Sequence, residues 1–472
     1  MSKETRINQI KRIVELEKPV GRVDIPWKDA LEPMDVYQIP LDFLIFNKYN
    51  GRILSRTKSH ENQNRIIDAE DKEGKELIEK LLWNSKPQKN KETLESLKKI
   101  GQEKIGIITE DGIIIDGNRR AMLLNKIDHI DYFKAVILPV EYEGNPLEIE
   151  KFETKYQLGE ERKLDYNPIE IYLKIQNLYK QLSGKSFYTK ETVDKGALKK
   201  IYEWVGNYKT IKSVNDIEYT LAVMNTMDEY LDWFDYNGIY TTLDDREEQF
   251  RGLTSWLLNF YGEESKKVFD YYKDDDVDDL KTICYDLIRI KYKNEKFRYT
   301  AQGQKQNHFF GDEQLWKSFQ KNHRDIISEN SESKIDLNIK NLEAHLNSRD
   351  SIFKENVGPK LDENVDNHYQ KLRNNQSTDQ PEKQINKALD AFNSINKGNK
   401  NFNSKAVQNL VEELGNKVFD SLQKKSPSKL LEHIINLLES IEIDKIPEHE
   451  IQEIQDKTKK IQQLGYQINK QL

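Results

Sequence analysis

A single cysteine, Cys284, stands among 472 residues. The chain therefore can form no internal disulfide and no cysteine-based zinc site, and a reducing cytoplasm is the expected compartment. Long apolar runs are missing too. No stretch of about 18 hydrophobic residues occurs, so nothing should span a membrane. The opening residues, MSKETRINQIKRIVELEK, lack the apolar core and small-residue cleavage site of a secretory signal. Positive charge is not in excess: the net charge is −7, which argues against a broad basic coat for nucleic acid. The eight histidines are scattered, with no His-x-x-x-His pair to suggest a nuclease or metal helix.

Charged side chains are abundant, at 33% of the chain, and the length suits two or three domains. Charge is uneven. It sums to roughly +2 over residues 1–200 and roughly −8 over 201–250, so an anion-binding face belongs in the first half. Residues 1–35 read as a helical extension, with Ile7, Ile10, Ile13 and Val14 at helical spacing. Residues 36–160 mix strand and helix signals. MDVYQIPLDFLIFN supplies a strand, and Leu77, Ile78, Leu81 and Leu82 a helix. A further helix ends at Gly101, and KIGIIT and IIID pair across an Asp-Gly turn. Residues 161–350 are helical throughout, opened by Pro168 with Ile169, Leu173, Ile175 and Leu178 behind it. Within them, 196–232 reads as helix, turn and helix. The acidic run DDDVDD at 274–279 fits a solvated loop or helix start better than a metal site. Residues 351–404 are poor in large apolar side chains and are expected to be a linker or weakly ordered. Over 405–472, Ile451, Ile454, Ile461, Leu464, Ile468 and Leu472 predict a terminal helical hairpin or short coiled coil. The fold class is an α+β N-terminal domain followed by a long all-α region.

The chemistry concentrates at DGNRR, Asp116 to Arg120, where a strand should turn into a helix. A helix start presents unpaired N–H groups and partial positive charge. Gly117 would let a phosphate approach the backbone. Arg119 and Arg120 add charge-assisted hydrogen bonds, Asn118 offers a donor and an acceptor, and Asp116 can cap the helix or orient an arginine. An anion is the expected occupant.

These surroundings resemble the ParB/sulfiredoxin-like N-terminal domain of chromosome and plasmid partition proteins. The family's Gly-Glu-Arg-Arg motif falls on Gly117, Asn118, Arg119 and Arg120. Its Asn-Pro-x-Gln-Pro-Arg box falls on NKYNGR, matching at Asn47 and Arg52 with both prolines missing. The helix-then-strand box falls on ESLKKIGQEKIGIIT with Gly101 in place, and an Asp-Leu-Asn-Pro-x-Glu pattern on DYNPIE, matching at Asp165, Asn167, Pro168 and Glu170. The resemblance implies a nucleotide-binding domain whose phosphate cradle is Asp116, Gly117, Asn118, Arg119 and Arg120, assisted by Arg52. The cofactor it implies is a nucleoside triphosphate, CTP or ATP, with Mg²⁺. It also implies contact with DNA through a following helix-turn-helix, and a homo-oligomer. Two departures bear on this. Asn118 replaces the motif's glutamate, and GEERK (Gly159 to Lys163) stands where a Glu-Asn-x-Gln-Arg box belongs, with Arg162 one place off register. Sulfiredoxin chemistry is excluded, because Asn118 occupies its cysteine's place.

The helix-turn-helix pair places Lys212, Ser213 and Asn215 early in its second helix, with Asp216 and Glu218 close behind, an unfavourable pairing for a DNA backbone. An alternative is a metal-dependent nuclease or NTPase effector of a mobile-element or phage-defence system. Asp116 brings the motif closer to the Asp-Gly-x-Arg variant of relatives that resemble such enzymes. Asp116, Glu160 and Glu161 are its candidate acids. A non-enzymatic scaffold is the third class, supported by the long helical half.

Overall fold

The computed structural model describes all residues except 29, 64–65, 159–166, 186–187, 207, 209, 237, 263–264, 266–271, 304–306, 331–340, 379–380 and 424–426. Two compact units are distinguished, Met1–Asp379 and Gln380–Leu472.

The first unit begins with helix α1 (Lys3–Leu16), then strands β1 (Gly21–Trp27) and β2 (Ala30–Pro40). Helices α2 (Leu54–Gln63), α3 (Lys72–Ser85) and α4 (Pro87–Ile100) follow, then β3 (Gly106–Thr109), β4 (Ile114–Asp116), α5 (Asn118–Leu124) and β5 (Tyr132–Leu138). The strands form one mixed sheet in the order β1-β2-β5-β3-β4, with only the β5–β3 pair parallel. The extension expected over residues 1–35 is thus only half helical. It also supplies β1 and the start of β2, because Ile25 and Trp27 are buried at a two-residue period. Pro26 is tolerated because β1 is an edge strand.

Alternation along the strands divides the apolar residues between two faces. Ile39, Ile108, Ile114, Phe133 and Ala135 pack with Ile78, Leu82, Met122 and Leu123 of α3 and α5. Their neighbours Ile107, Ile115, Val136 and Leu138 pack instead with Ile149 and Phe152. The last two belong to α6 (Pro146–Leu158), which covers the other face.

The described elements after α6 in this unit are helices: α7 (Pro168–Ser183), α8 (Lys195–Val205), α9 (Val214–Trp233), α10 (Glu247–Trp256), α11 (Asp274–Arg289), α12 (Asn294–Phe297), α13 (Glu313–Glu329) and α14 (Leu342–Thr378). The acidic run starts α11. Asp276 meets Lys317 at 2.5 Å and Asp279 accepts from Gln320 and Arg324, so these acids join α11 to α13. Helix α14 corrects the expectation of a linker over 351–404. Phe353, Val357, Leu361, Val365 and Leu372 lie on one stripe and are buried in the main helical core, while Ile352 is exposed. Composition dilutes that stripe; spacing does not. Arg246, just before α10, and Arg289 of α11 both bind the buried Asp350 of α14, at 3.1 and 2.7 Å.

The second unit consists of α15 (Pro381–Asn393), α16 (Lys405–Gln423), α17 (Pro427–Glu439) and α18 (Ile451–Gln471). The rest of the expected linker is therefore largely α15, and the C-terminal segment holds three helices rather than a hairpin. None of this unit's described residues is buried.

Candidate functional site

Strands β3 and β4 form the hairpin expected from KIGIIT and IIID, closed by Gly112 at φ +79°. β4 ends on Asp116, and Gly117 turns the chain into α5 with φ +106°. A Cβ on Gly117 would stand 2.7 Å from the Phe133 ring. The glycine is therefore required by its left-handed conformation and by that ring.

Arg119 and Arg120 turn into the same cavity, of about 320 Å³, which Arg52, Asn50, Lys104 and Glu103 also line. Arg119 is braced by α4: its Nε donates to Asn90 Oδ1 and its Nη2 to Thr93 Oγ1 at 3.2 Å. Arg120 Nη2 donates to Asp116 Oδ2 at 2.9 Å and to the Ile105 carbonyl at 3.2 Å. Asp116 thus takes the arginine-orienting role, one of the two expected of it. Arg120 Nε is buried with no hydrogen-bond partner among the described residues, an unusual state for a donor that costs free energy to desolvate. Four cations and two acids, Asp116 and Glu103, line the cavity, and Asp116 is already neutralised by Arg120. Helix α5 spans only seven residues, so the guanidiniums rather than a helix end carry the positive potential.

Asn118 lines the cavity, and its amide is also engaged within the protein. Its Oδ1 accepts from the Asn47 N–H at 2.9 Å and its Nδ2 donates to the Ile114 carbonyl at 2.9 Å. It ties the arginine turn to the loop that carries Asn50 and Arg52. The sequence reading did not single out Asn90, Thr93, Ser96, Glu103 or Lys104 as site residues. Most of them lie in or beside the ESLKKIGQEK box, whose placement against the arginine turn was the available signal.

The DYNPIE box is structural at its described positions. Asn167 caps α7 by accepting from the Ile169 N–H at 3.1 Å, and Pro168 takes the first helical position. Glu170 reaches across to the start of α2, accepting from Ser55 N–H at 2.8 Å and Ser55 Oγ at 2.6 Å. Burial pushes its carboxyl up to about 7, against the opposing pull of the Ser55 donors and Arg56. Glu160, Glu161, Arg162, Lys163 and Asp165 lie outside the described residues.

Among the described residues no group of three metal-ligating side chains converges. The helical pair at 196–232 exists as α8 and α9, with Asn207 and Lys209 of its turn outside the described residues. Its second helix packs one face into the core. α9 buries Ile217, Leu221, Val223, Met224, Met227 and Tyr230 in the core, while Asp216 and Ser213 serve as its cap. Among the described residues no helix is long and apolar enough to cross a membrane.

Compared with known proteins, the chain matches no protein-family model and no curated sequence.

Proposed function

We propose that the cavity beside the arginine turn holds the phosphate groups of a nucleotide, making this a nucleotide-binding protein of the ParB/sulfiredoxin-like kind. The observation that carries the reading is the convergence of Arg52, Arg119, Arg120 and Lys104 on one cavity, with Arg120 Nε buried and awaiting an acceptor. Guanidiniums braced before binding give up little freedom on meeting a phosphate, and bidentate geometry suits them to it. The volume sits at the lower end of the range of roughly 300–1,000 Å³ for small-molecule sites, which suits the phosphate end of a nucleoside triphosphate such as CTP or ATP. Mg²⁺ would enter on the phosphate oxygens, with Asp116 and Glu103 as the neighbouring carboxylates. Ligand binding would act as a switch by its differential affinity for two arrangements of the chain.

The test is calorimetric titration of the full chain with ATP, CTP, GTP and UTP, with and without Mg²⁺. Arg120→Ala and Arg119→Ala should each weaken binding by about 1.5–3 kcal/mol per charged hydrogen bond lost, roughly 10- to 150-fold in Kd. Unchanged affinity in the double variant, or no binding of any nucleotide by the parent chain, refutes the assignment. Phosphate release in the same samples reports the hydrolytic alternative. That alternative is disfavoured at Asp116, because its carboxylate is committed to Arg120. Contact with DNA through the helical region is read by a salt-dependent mobility shift.

A further inference from the structure

Residues 47–55 run from beside the arginine turn to the start of α2 and supply two residues of the cavity wall, Asn50 and Arg52. Side chains from elsewhere fasten this segment at both ends. At its start the Asn47 N–H donates to Asn118 Oδ1 at 2.9 Å. At its end Ser55 gives its N–H, at 2.8 Å, and its hydroxyl, at 2.6 Å, to the buried carboxylate of Glu170 on α7. Between them the Arg52 N–H donates to Asn50 Oδ1 at 3.2 Å, and the Ile53 N–H to the Asn50 carbonyl at 3.0 Å. Ile53 is buried in the core that the sheet shares with α3 and α5, and Leu54 in the main helical core. The chain crosses from one core to the other within a single peptide unit.

A helix start favours negative charge and leaves N–H groups to be satisfied. α2 has no acid in its own first turn, and Glu170 supplies one from α7. Glu170 is held in its turn. Arg56 Nη1 lies 3.7 Å from Glu170 Oε1, and Arg56 Nη2 lies 3.6 Å from Asp244 Oδ2 in the turn before α10. Asp244 accepts from Asn167, the cap of α7. Further along α2, Lys58 Nζ donates to Asn177 Oδ1 of α7 at 2.8 Å. Its neighbouring carboxylates are Asp228 of α9 and Glu150 of α6. Burial raises both carboxyls, that of Asp228 to about 6. Polar contacts thus set how α2 sits on α7, and the Ser55–Glu170 clamp stands three residues from Arg52.

We propose that Glu170 is a positioning residue for the anion cavity: by clamping Ser55 it fixes the first turn of α2, and with it the place from which Arg52 enters the cavity. The inference rests on the nucleotide reading above and adds to that site a residue standing outside its wall. Glu170 acts through Ser55 and Arg52 and touches no ligand itself. Without the clamp, the turn at 50–53 would sample more arrangements, and ordering Arg52 on a phosphate would cost freedom that it now gives up beforehand.

The experiment is a double-mutant cycle read by calorimetry on the full chain. The titrant is whichever of ATP, CTP, GTP and UTP the parent chain binds tightest, with Mg²⁺, and Kd and stoichiometry are read separately. Arg52→Ala sets the scale. Glu170→Ala should raise Kd about 2- to 30-fold, and by no more than Arg52→Ala does. Glu170→Gln, whose amide can accept from the Ser55 N–H and donate to Ser55 Oγ, should recover most of the affinity. In the Arg52→Ala background, Glu170→Ala should change Kd by less than about 2-fold, whereas in the Arg119→Ala background its full effect should persist. A general loss of structure would lower the stoichiometry and act alike in both backgrounds. Should Glu170→Ala not fold, Ser55→Ala, which removes one of the two clamping bonds, takes its place in the same cycle. An unchanged Kd in the clamp variant, or equal losses in the two arginine backgrounds, overturns this inference and leaves the nucleotide reading standing. No binding of any nucleotide by the parent chain overturns both.

Discussion

Glutamine in place of Glu170 should abolish a pH dependence built into the junction between the sheet domain and the helices. Glu170 is 1% exposed, and its carboxyl is pushed up to about 7 from 4.5 by burial. The folded chain thus holds this proton more tightly than the unfolded chain does. The resulting stabilisation is fully present below about pH 4.5 and is lost as pH rises through about 7. The difference between the two values corresponds to about 3 kcal/mol. In a chain of two units a single melting point does not report this term, so a local probe is needed. Hydrogen exchange of the peptide carrying Ser55 and the first turn of α2, corrected for intrinsic rate, supplies one. Protection there should fall by roughly 100-fold between pH 5 and pH 8 in the parent chain. In Glu170→Gln the fall should vanish, while the Asp228 and Glu150 contributions elsewhere persist. An equal fall in both proteins would refute burial of Glu170 as its cause.

Asp350→Asn leaves Arg246 and Arg289 buried with their ion pairs weakened. It should lower the melting temperature of the first unit by the equivalent of about 3–5 kcal/mol. Gly117→Ala forces a Cβ into the Phe133 ring at a positive φ and should cost about 1–3 kcal/mol, seen as reduced denaturant resistance before any ligand is added. Leu361→Ala on the buried stripe of α14 should cost about 2–5 kcal/mol. Leu389→Ala, at a 53% exposed position of α15, should stay within about 0.5 kcal/mol. Equal effects of the two leucine changes in chemical denaturation would contradict the packing of α14.

The hairpin, the turn and α5 were legible because each carries local chemistry: two runs of isoleucine, an Asp-Gly turn, a glycine before the helix. The sequence left Asp116 either to cap the helix or to orient an arginine, and the structure shows it on Arg120. What escaped were contacts between distant segments. Nothing local marks Asn90 as the brace for Arg119, since it lies in a different helix. Asn118 looked like a ligand group because a side-chain amide advertises donor and acceptor equally, and only the fold shows that Asn47 and Ile114 consume both. α9 was read as a possible DNA helix from its first residues. Its burial is decided by the hydrophobic residues further along and by what packs on them. α14 was obscured for a related reason. Its apolar residues recur about once per turn among many polar ones, so a composition window sees a linker where a stripe of single residues closes a core.

The buried stripe of α14 also sets a time for folding. Leu361 and Leu372 share one core with Met224, Tyr230 and Phe250, more than a hundred residues earlier in the chain. During synthesis, helices α9 to α13 therefore emerge from the ribosome with an apolar seam still open, and it can close only after residue 372 has cleared the exit tunnel. A nascent chain halted near Glu329 should hold that seam exposed to chaperones, whereas one extended past Thr378 should release them.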